Sequence, residues 1–288
     1  MDYLFTIGIL VCLAISLTVS LNIASGYTRT LSLAHAAFLG LGAYGYGIAC
    51  KTGLSPIIGI LVGVGAAVVG GFLVGAPVLR LRGDFFLIAT LGFGEVVRAS
   101  LVNLGSLTGG SNGLSGIPAI PGTPNGPALN IYYFAVFAFV TTAIVFIGVR
   151  IQGSPMGIAL RATGEDEDAT EALGRDTTKL KLRALVLGAG LAGFTGCLYA
   201  SWTSFINPGA FDTAASILIL AMLLLGGLGS VWGSVLGAAV MVMLPEILRF
   251  VGVSGPSAQL WQQLTYGLLL ICLMAFRPSG LIPVKRGK

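Results

Sequence analysis

Of the 288 residues, 55% are hydrophobic and only 9% are charged, against about 25% charged in a soluble domain, so the chain lacks the polar groups to cover a folded surface in water. Its 43 glycines follow no G-X-Y period, and the aliphatic content excludes collagen-like and disordered chains. The formal charge of +5 comes from cations gathered in a few gaps between apolar runs, where they set topology rather than bind nucleic acid. Runs of about 20 apolar residues, without the alternating ten-residue segments of a membrane barrel, give an all-α polytopic membrane protein. It is expected to form a single transmembrane domain over residues 1–288, with a charged loop at 150–183 and the lipid bilayer as its surroundings.

Residues 3–28 carry no charge, and the N-terminus lacks the cationic region of a cleaved signal peptide, so the first apolar run is kept as a membrane helix over 4–24. Arg29, Lys51, Arg80, Arg82 and Asp84 bound further spans at 31–50, 54–78 and 85–105. The uncharged stretch SLTGGSNGLSGIPAIPGTPNGPALN, residues 106–130, is too rich in Gly, Pro, Asn and Ser for a helix. A span at 131–149 ends at Arg150, and residues 150–183 then concentrate the chain's charge, six cations included. Spans at 184–205, 213–228, 232–251 and 258–277 complete a bundle of about nine transmembrane helices. The range is eight to ten, because GGLGSVWG at 226–233 divides 213–251 into two crossings or into one crossing and a re-entrant hairpin.

With nine crossings, Arg29, Arg80, Arg82, the cations of 150–183 and Arg277, Lys285, Arg286 and Lys288 share one side, leaving Lys51 and Arg249 near the other. The positive-inside rule puts the N-terminus outside and the C-terminus in the cytoplasm. Gly59, Gly63, Gly71, Gly75, Gly229, Gly233 and Gly237 repeat the small-xxx-small spacing that lets helix backbones approach closely in lipid. GLGAYGYG at 40–47, with Gly42 and Tyr44, and GGLGSVWG, with Gly227 and Gly229, are either packing segments or broken helices around a solute path.

Glu95 and Arg98 stand three apart, some ten and fourteen residues from Asp84, which puts the pair near mid-bilayer. Such a pair lines a path or neutralises itself inside the bundle. Glu246 and Arg249 repeat the spacing nearer an interface, where snorkelling suffices. His35, the only histidine, has no second His or carboxylate within a turn and is a hydrogen-bonded structural residue or a proton relay.

Thr163 and Asp166 match a capping box, the acids Glu165, Asp166, Glu167 and Asp168 suit a helix N-terminus, and Gly174 supplies a stop, so the spacing predicts a short helix over 164–173. Ala169, Ala172 and Leu173 form its small apolar face, with Glu167 and Glu171 on another side. A helix this short needs something to pack on, so it is a solvated linker or a docking element for a cytoplasmic partner.

Enzyme chemistry is not expected. Gly45 to Thr52 misses a phosphate loop because Cys50 replaces the second glycine, and Cys12, Cys50, Cys197 and Cys272 stand singly without metal spacing. No cofactor or metal is expected.

The order Ser32–Tyr44 (SLAHAAFLGLGAY), Leu79–Asp84 (LRLRGD), Thr90–Arg98 (TLGFGEVVR), Thr108–Leu114 (TGGSNGL), Gly157–Ala162 (GIALRA), Glu165–Gly174 (EDEDATEALG), Leu225–Gly233 (LGGLGSVWG), Leu244–Glu246 and Arg277–Leu281 resembles the LivM-type permease subunit of branched-chain amino-acid ABC importers over nearly the whole chain. Ala34 replaces a common Gly, and Gly164 replaces a common Arg before the acidic run. The resemblance implies a transport subunit in the plasma (inner) membrane of a prokaryote. It also implies a second homologous permease subunit, two cytoplasmic ATP-binding subunits that hydrolyse the ATP, and an extracytoplasmic solute-binding protein. The acidic loop would then be the coupling element, with Arg161, Glu165, Asp166, Glu167, Ala169, Glu171, Ala172, Leu173 and Gly174 facing the ATPase, and His35, Gly42, Tyr44, Glu95, Arg98, Gly227 and Gly229 are the candidate path residues. A permease for urea or short amides, or an ion-coupled secondary transporter working through Glu95, Arg98 and His35, are the alternatives.

Overall fold

The computed structural model describes residues 2–79, 81, 83–124, 128–250, 261, 264–268, 271 and 280–282, with backbone alone over 247–250. Helix α1 (Asp2–Leu21) continues into a π-helical turn, Asn22–Gly26, so that the first apolar helix runs 25 residues. Then come α2 (His35–Lys51), α3 (Pro56–Val78), α4 (Asp84–Asn103), the single turn α5 (Gly105–Thr108), α6 (Ala128–Gln152), the short helices α7 (Pro155–Glu165) and α8 (Glu167–Ala172), then α9 (Thr177–Thr203), α10 (Thr213–Gly226) and α11 (Val231–Phe250). Pro56 at the first helical position and an extended Ser55 start α3, and Asp84 places an acid in the first turn of α4.

The chain is all-α and polytopic. Five helices, Asp2–Gly26, α3, α4, α6 and α9, are long and apolar enough to cross a membrane by length and composition. Helix α2 has 17 residues and α10 only 14, about 21 Å of rise against a hydrocarbon core of about 30 Å. The expected span at 258–277 falls largely outside the described residues, as do Arg80, Arg82, Arg277, Lys285, Arg286 and Lys288.

Helix α9 starts seven residues before the expected 184, because Asp176 accepts from the Lys179 N–H at 2.9 Å and so fixes the N-terminus ahead of the charged turns. The loop expected over 106–130 also differs. It holds α5, a 3-10 turn at Gly110–Asn112, and a two-residue strand β1 (Leu114–Ser115) paired antiparallel with β2 (Phe205–Ile206). Polar groups at the ends of three helices hold it: the Tyr46 hydroxyl donates to Pro118 O at 3.0 Å, and the Ile120 N–H donates to Ser201 Oγ at 3.0 Å, with the Tyr133 hydroxyl against the same serine. Loop backbone groups thus find partners that composition alone does not reveal.

The centre of the bundle is a seam of α2, α3 and α9 in which backbones touch. A side chain on Gly42 would overlap the Gly193 carbonyl, one on Gly45 would come within 2.7 Å of Gly63 Cα, and one on Gly196 would overlap the Leu39 carbonyl. Cys197 Sγ sits 3.4 Å from Gly42 O in the same seam. Lipid gives helices no hydrophobic reason to associate, so this close approach is what holds them. Around the seam, α1 packs on α6 through Ser16 Oγ and Thr141 Oγ1, 2.9 Å apart. Helices α10 and α11 form an antiparallel hairpin in which Gly226 meets Gly233 and Gly237 meets Met222. Its tight turn uses Gly227 (φ 112°) and Gly229 (φ 79°), torsions that L side chains avoid. The 226–233 segment is therefore the turn of a hairpin whose first arm is short.

Gly193→Leu is expected to destabilise the protein by about 1–3 kcal/mol or more, since its side chain runs into Ala67. Gly65→Ala on α3, with open space around the position, is expected to be neutral or stabilising by up to about 1 kcal/mol. Thermal unfolding of the two variants in detergent checks the contrast.

Candidate functional site

The end of the bundle where α6 ends and α9 begins carries a built cluster of short helices. Ser154 accepts from the Gly157 N–H at 3.2 Å and Pro155 occupies the first position of α7, so this helix begins well before the acidic run and passes through Thr163. Thr163 donates to Ala159 O at 2.9 Å inside that helix and caps nothing. The expected single helix over 164–173 is thus corrected to two: Asp166, extended at φ −152°, ends α7 and caps α8, accepting from the Ala169 N–H at 2.9 Å. Gly174 is the predicted stop. It has φ 78° and donates to Glu171 O, while the Arg175 N–H reaches Thr170 O, the paired bonds of a Schellman end.

Helix α8 is two-sided in an unusual sense. Two of its carboxylates tie it to α9: Lys181 Nζ lies 2.6 Å from Glu167 Oε1, with the lysine side chain only 7% exposed, and the Thr177 hydroxyl donates to Glu171 Oε1 at 2.5 Å, while Asp168 is exposed. Its apolar residues face out. Ala169 and Ala172 are exposed and Leu173 is 83% exposed. Beside it, Asp176 is held below the usual carboxylate range by the Lys179 side chain, 2.8 Å away. Arg161 turns inward and donates to Gln152 O at 2.7 Å, covering a carbonyl at the end of α6. Glu165 is exposed at the end of α7. A side chain on Gly164 would lie 2.7 Å from the Tyr27 carbonyl, so α7 rests directly on the backbone that follows the π turn of α1.

A second polar cluster lies within the span of α4. Glu95 and Arg98 form an ion pair at 2.8 Å, with side chains 39% and 40% exposed. The Thr213 hydroxyl, at the start of α10, donates to Glu95 Oε1 at 2.6 Å, and Asp212 caps that helix by accepting from the Ala215 N–H at 2.9 Å. Glu95 stands roughly 16 Å of helix rise from Asp84, so α10 begins beside the middle of the apolar helix α4.

The other candidates separate from this pair. His35 is buried, with Nε2 2.7 Å from Ser20 Oγ and its ring edge-on to Phe38. Its segment joins the same helices: the Leu33 N–H donates to Thr90 Oγ1 on α4 at 3.1 Å, and the Ala36 N–H to Ser216 Oγ on α10 at 3.1 Å. Gly42 sits in the central seam. Tyr44 is buried with its ring against Phe211. Gly227 and Gly229 lie in the α10–α11 turn, where the Gly229 N–H donates to Asn22 Oδ1 at 2.9 Å. Glu246 is bonded to the Tyr3 hydroxyl, and the Arg249 side chain lies outside the described residues. The residues that sequence reading missed are Asn22, Asp212, Thr213 and Ser216. Their one signal was polarity within apolar runs.

A family model described as a branched-chain amino acid transport system permease component matches residues 1–274. The Escherichia coli K12 protein described as high-affinity branched-chain amino acid transport system permease protein LivM is 34% identical over 97% of this chain and 70% of its own length. The Salmonella typhimurium LivM is 34% identical over 94% of this chain and 68% of its own length. A probable LivM of Methanocaldococcus jannaschii is 28% identical over 80% and 71%. No solved structure matches. With a family model covering residues 1–274 and a 34% identity to a relative aligned over 97% of this chain, the chain belongs to the branched-chain amino acid transport system permease family.

Proposed function

We propose that this chain is one of two homologous permease subunits of an ATP-driven importer that carries branched-chain amino acids into a prokaryotic cytoplasm. The N-terminus is outside and the charged loop inside. An extracytoplasmic solute-binding protein delivers the cargo and two cytoplasmic ATP-binding subunits supply the driving force. The observation that carries the reading is the outward-facing apolar side of α8. A helix of six residues anchored to its own protein by Glu167 and Glu171, with Ala169, Ala172 and Leu173 turned to solvent, has the form of a docking knob rather than of a solvated linker. Arg29, Arg150, Arg175, Lys179 and Arg183 lie at the same end of the bundle, which supports a cytoplasmic location.

The path lies along the Glu95–Arg98 pair. Charges this exposed at bilayer depth are costly against lipid and are stable against water or a facing subunit, so this face of α4 and the start of α10 line the central passage. His35 and Tyr44 lie behind this lining, and Gly42, Gly227 and Gly229 hold the helices that form it.

Replacing Ala169, Ala172 and Leu173 together by Lys is expected to abolish ATP-dependent leucine uptake by the co-purified complex, urea being the competitor that tests cargo, while membrane insertion and thermal stability stay near wild type. Uptake at the wild-type rate by an inserted triple variant contradicts the docking role. For the path, exchanging the charges in Glu95→Arg with Arg98→Glu is expected to restore the stability lost in either single variant but to leave leucine uptake at least about tenfold down. Recovery of both stability and uptake would assign the pair to packing alone.

A further inference from the structure

Between α3, α6 and α9 runs an open apolar groove of about 390 Å³, lined among others by Val64, Val68, Ile147, Ile151, Val186 and Gly190. It exists because Gly190 puts no side chain there: a Cβ at this position would already lie 3.1 Å from Val68. The α9 residues that line it, Val186 to Phe194, span about 12 Å of helix rise, close to one leaflet of a core about 30 Å thick. The lining is aliphatic and aromatic from end to end, so nothing in it selects a polar ligand.

The end of the groove is different. Arg150 is on α6 beside Ile147 and Ile151, and Arg183 is on α9 one turn before Val186 and Leu187, so two exposed arginines stand at the inner mouth. Arg150 folds back over the Phe146 ring, 5.2 Å from its centroid, toward the membrane rather than away from it. Among the described residues it has no carboxylate within ion-pair distance. Apolar length followed by two arginines, one on each flanking helix, matches an acyl chain followed by a phosphodiester, and arginine is the side chain suited to phosphate at such a boundary. We propose that this groove is a binding site for one anionic glycerophospholipid of the leaflet at the α6 C-terminus, with an acyl chain along Val64, Val68 and Gly190 and the phosphate on Arg150 and Arg183. An apolar protein helix laid in the same groove would cover the wall and bring no anion to Arg150, while Arg183 has Asp176 within electrostatic reach.

The intact complex, purified in mild detergent, is examined by native mass spectrometry with lipid extraction, and by thermal unfolding with added phosphatidylglycerol or phosphatidylcholine. The wild type is expected to retain one anionic phospholipid per copy of this chain, and to melt higher with phosphatidylglycerol than with phosphatidylcholine. Arg150→Gln with Arg183→Gln, both at exposed positions, is expected to lower retention of the anionic lipid at least about tenfold and to remove the difference between the two lipids. Leu187→Trp, at the half-exposed groove edge, displaces the lipid by filling the space. A photo-crosslinker at position 187 is expected to capture phospholipid. Absence of bound phospholipid in the wild type, equal retention in the double arginine variant, or capture of a protein subunit by the crosslinker would each overturn the assignment.

Discussion

Backbone contact between glycines is the constraint on which this molecule depends. Within a bilayer the helices gain little by hiding apolar surface from one another, and they are held by close approach and by the few hydrogen bonds that approach permits. Helices α2, α3 and α9 meet with Gly42, Gly45, Gly63, Gly193 and Gly196 at their crossing points, and any side chain there would separate them. The seam therefore behaves as one stiff piece. The α10–α11 hairpin, built from Gly226, Gly233 and Gly237, is a second such piece, and the two touch through few groups.

That division gives a continuous physical connection from α8 to the middle of α4. Helix α8 is fastened to α9 by the buried Lys181–Glu167 pair and by Thr177, and α9 is a member of the seam. Helix α7 rests on the backbone after the π turn of α1, and Asn22 in that turn accepts from Gly229 in the α10–α11 hairpin. A π turn is a costly insertion commonly retained at working parts of a helix. From the other direction, Ser216 and Thr213 of α10 bind the α2 segment at Ala36 and the α4 carboxylate at Glu95. On the proposed function, movement of α7 and α8 against the bundle has two routes to the Glu95–Arg98 pair, one through α9 and one through the α1 π turn. Alternating access needs a discrete rearrangement of this kind between stiff bodies rather than a gradual deformation of packed helices.

The parts of this arrangement that were legible in the sequence are those that depend on local chemistry. Charge-free runs gave the positions of most helices, Gly174 gave the end of α8, and the Glu95–Arg98 spacing gave an ion pair that forms. The capping box was misplaced because Ser154 and Pro155 start a helix earlier and carry it through Thr163, a competition between two valid start signals that only packing of Gly164 against Tyr27 resolves. The 106–130 loop looked featureless because its order comes from Ser201, Tyr46 and Tyr133, which lie far away in the chain. Asn22 and Thr213 could be seen only as polar residues among apolar ones, since their partners, Gly229 and Glu95, become neighbours through the fold. The glycines of α9 are the largest omission: Gly188, Gly193 and Gly196 lack the strict four-residue repeat and yet each stands where a Cβ would overlap a neighbouring helix.

The most direct test of the account is the reach of a membrane-impermeant maleimide to Leu173→Cys, in a chain otherwise free of cysteine, in right-side-out and inside-out vesicles with and without the ATP-binding subunits. The account predicts modification only from the cytoplasmic face, and strong protection once those subunits are assembled. Modification from the outer face, or an equal rate with and without the assembled subunits, would contradict it.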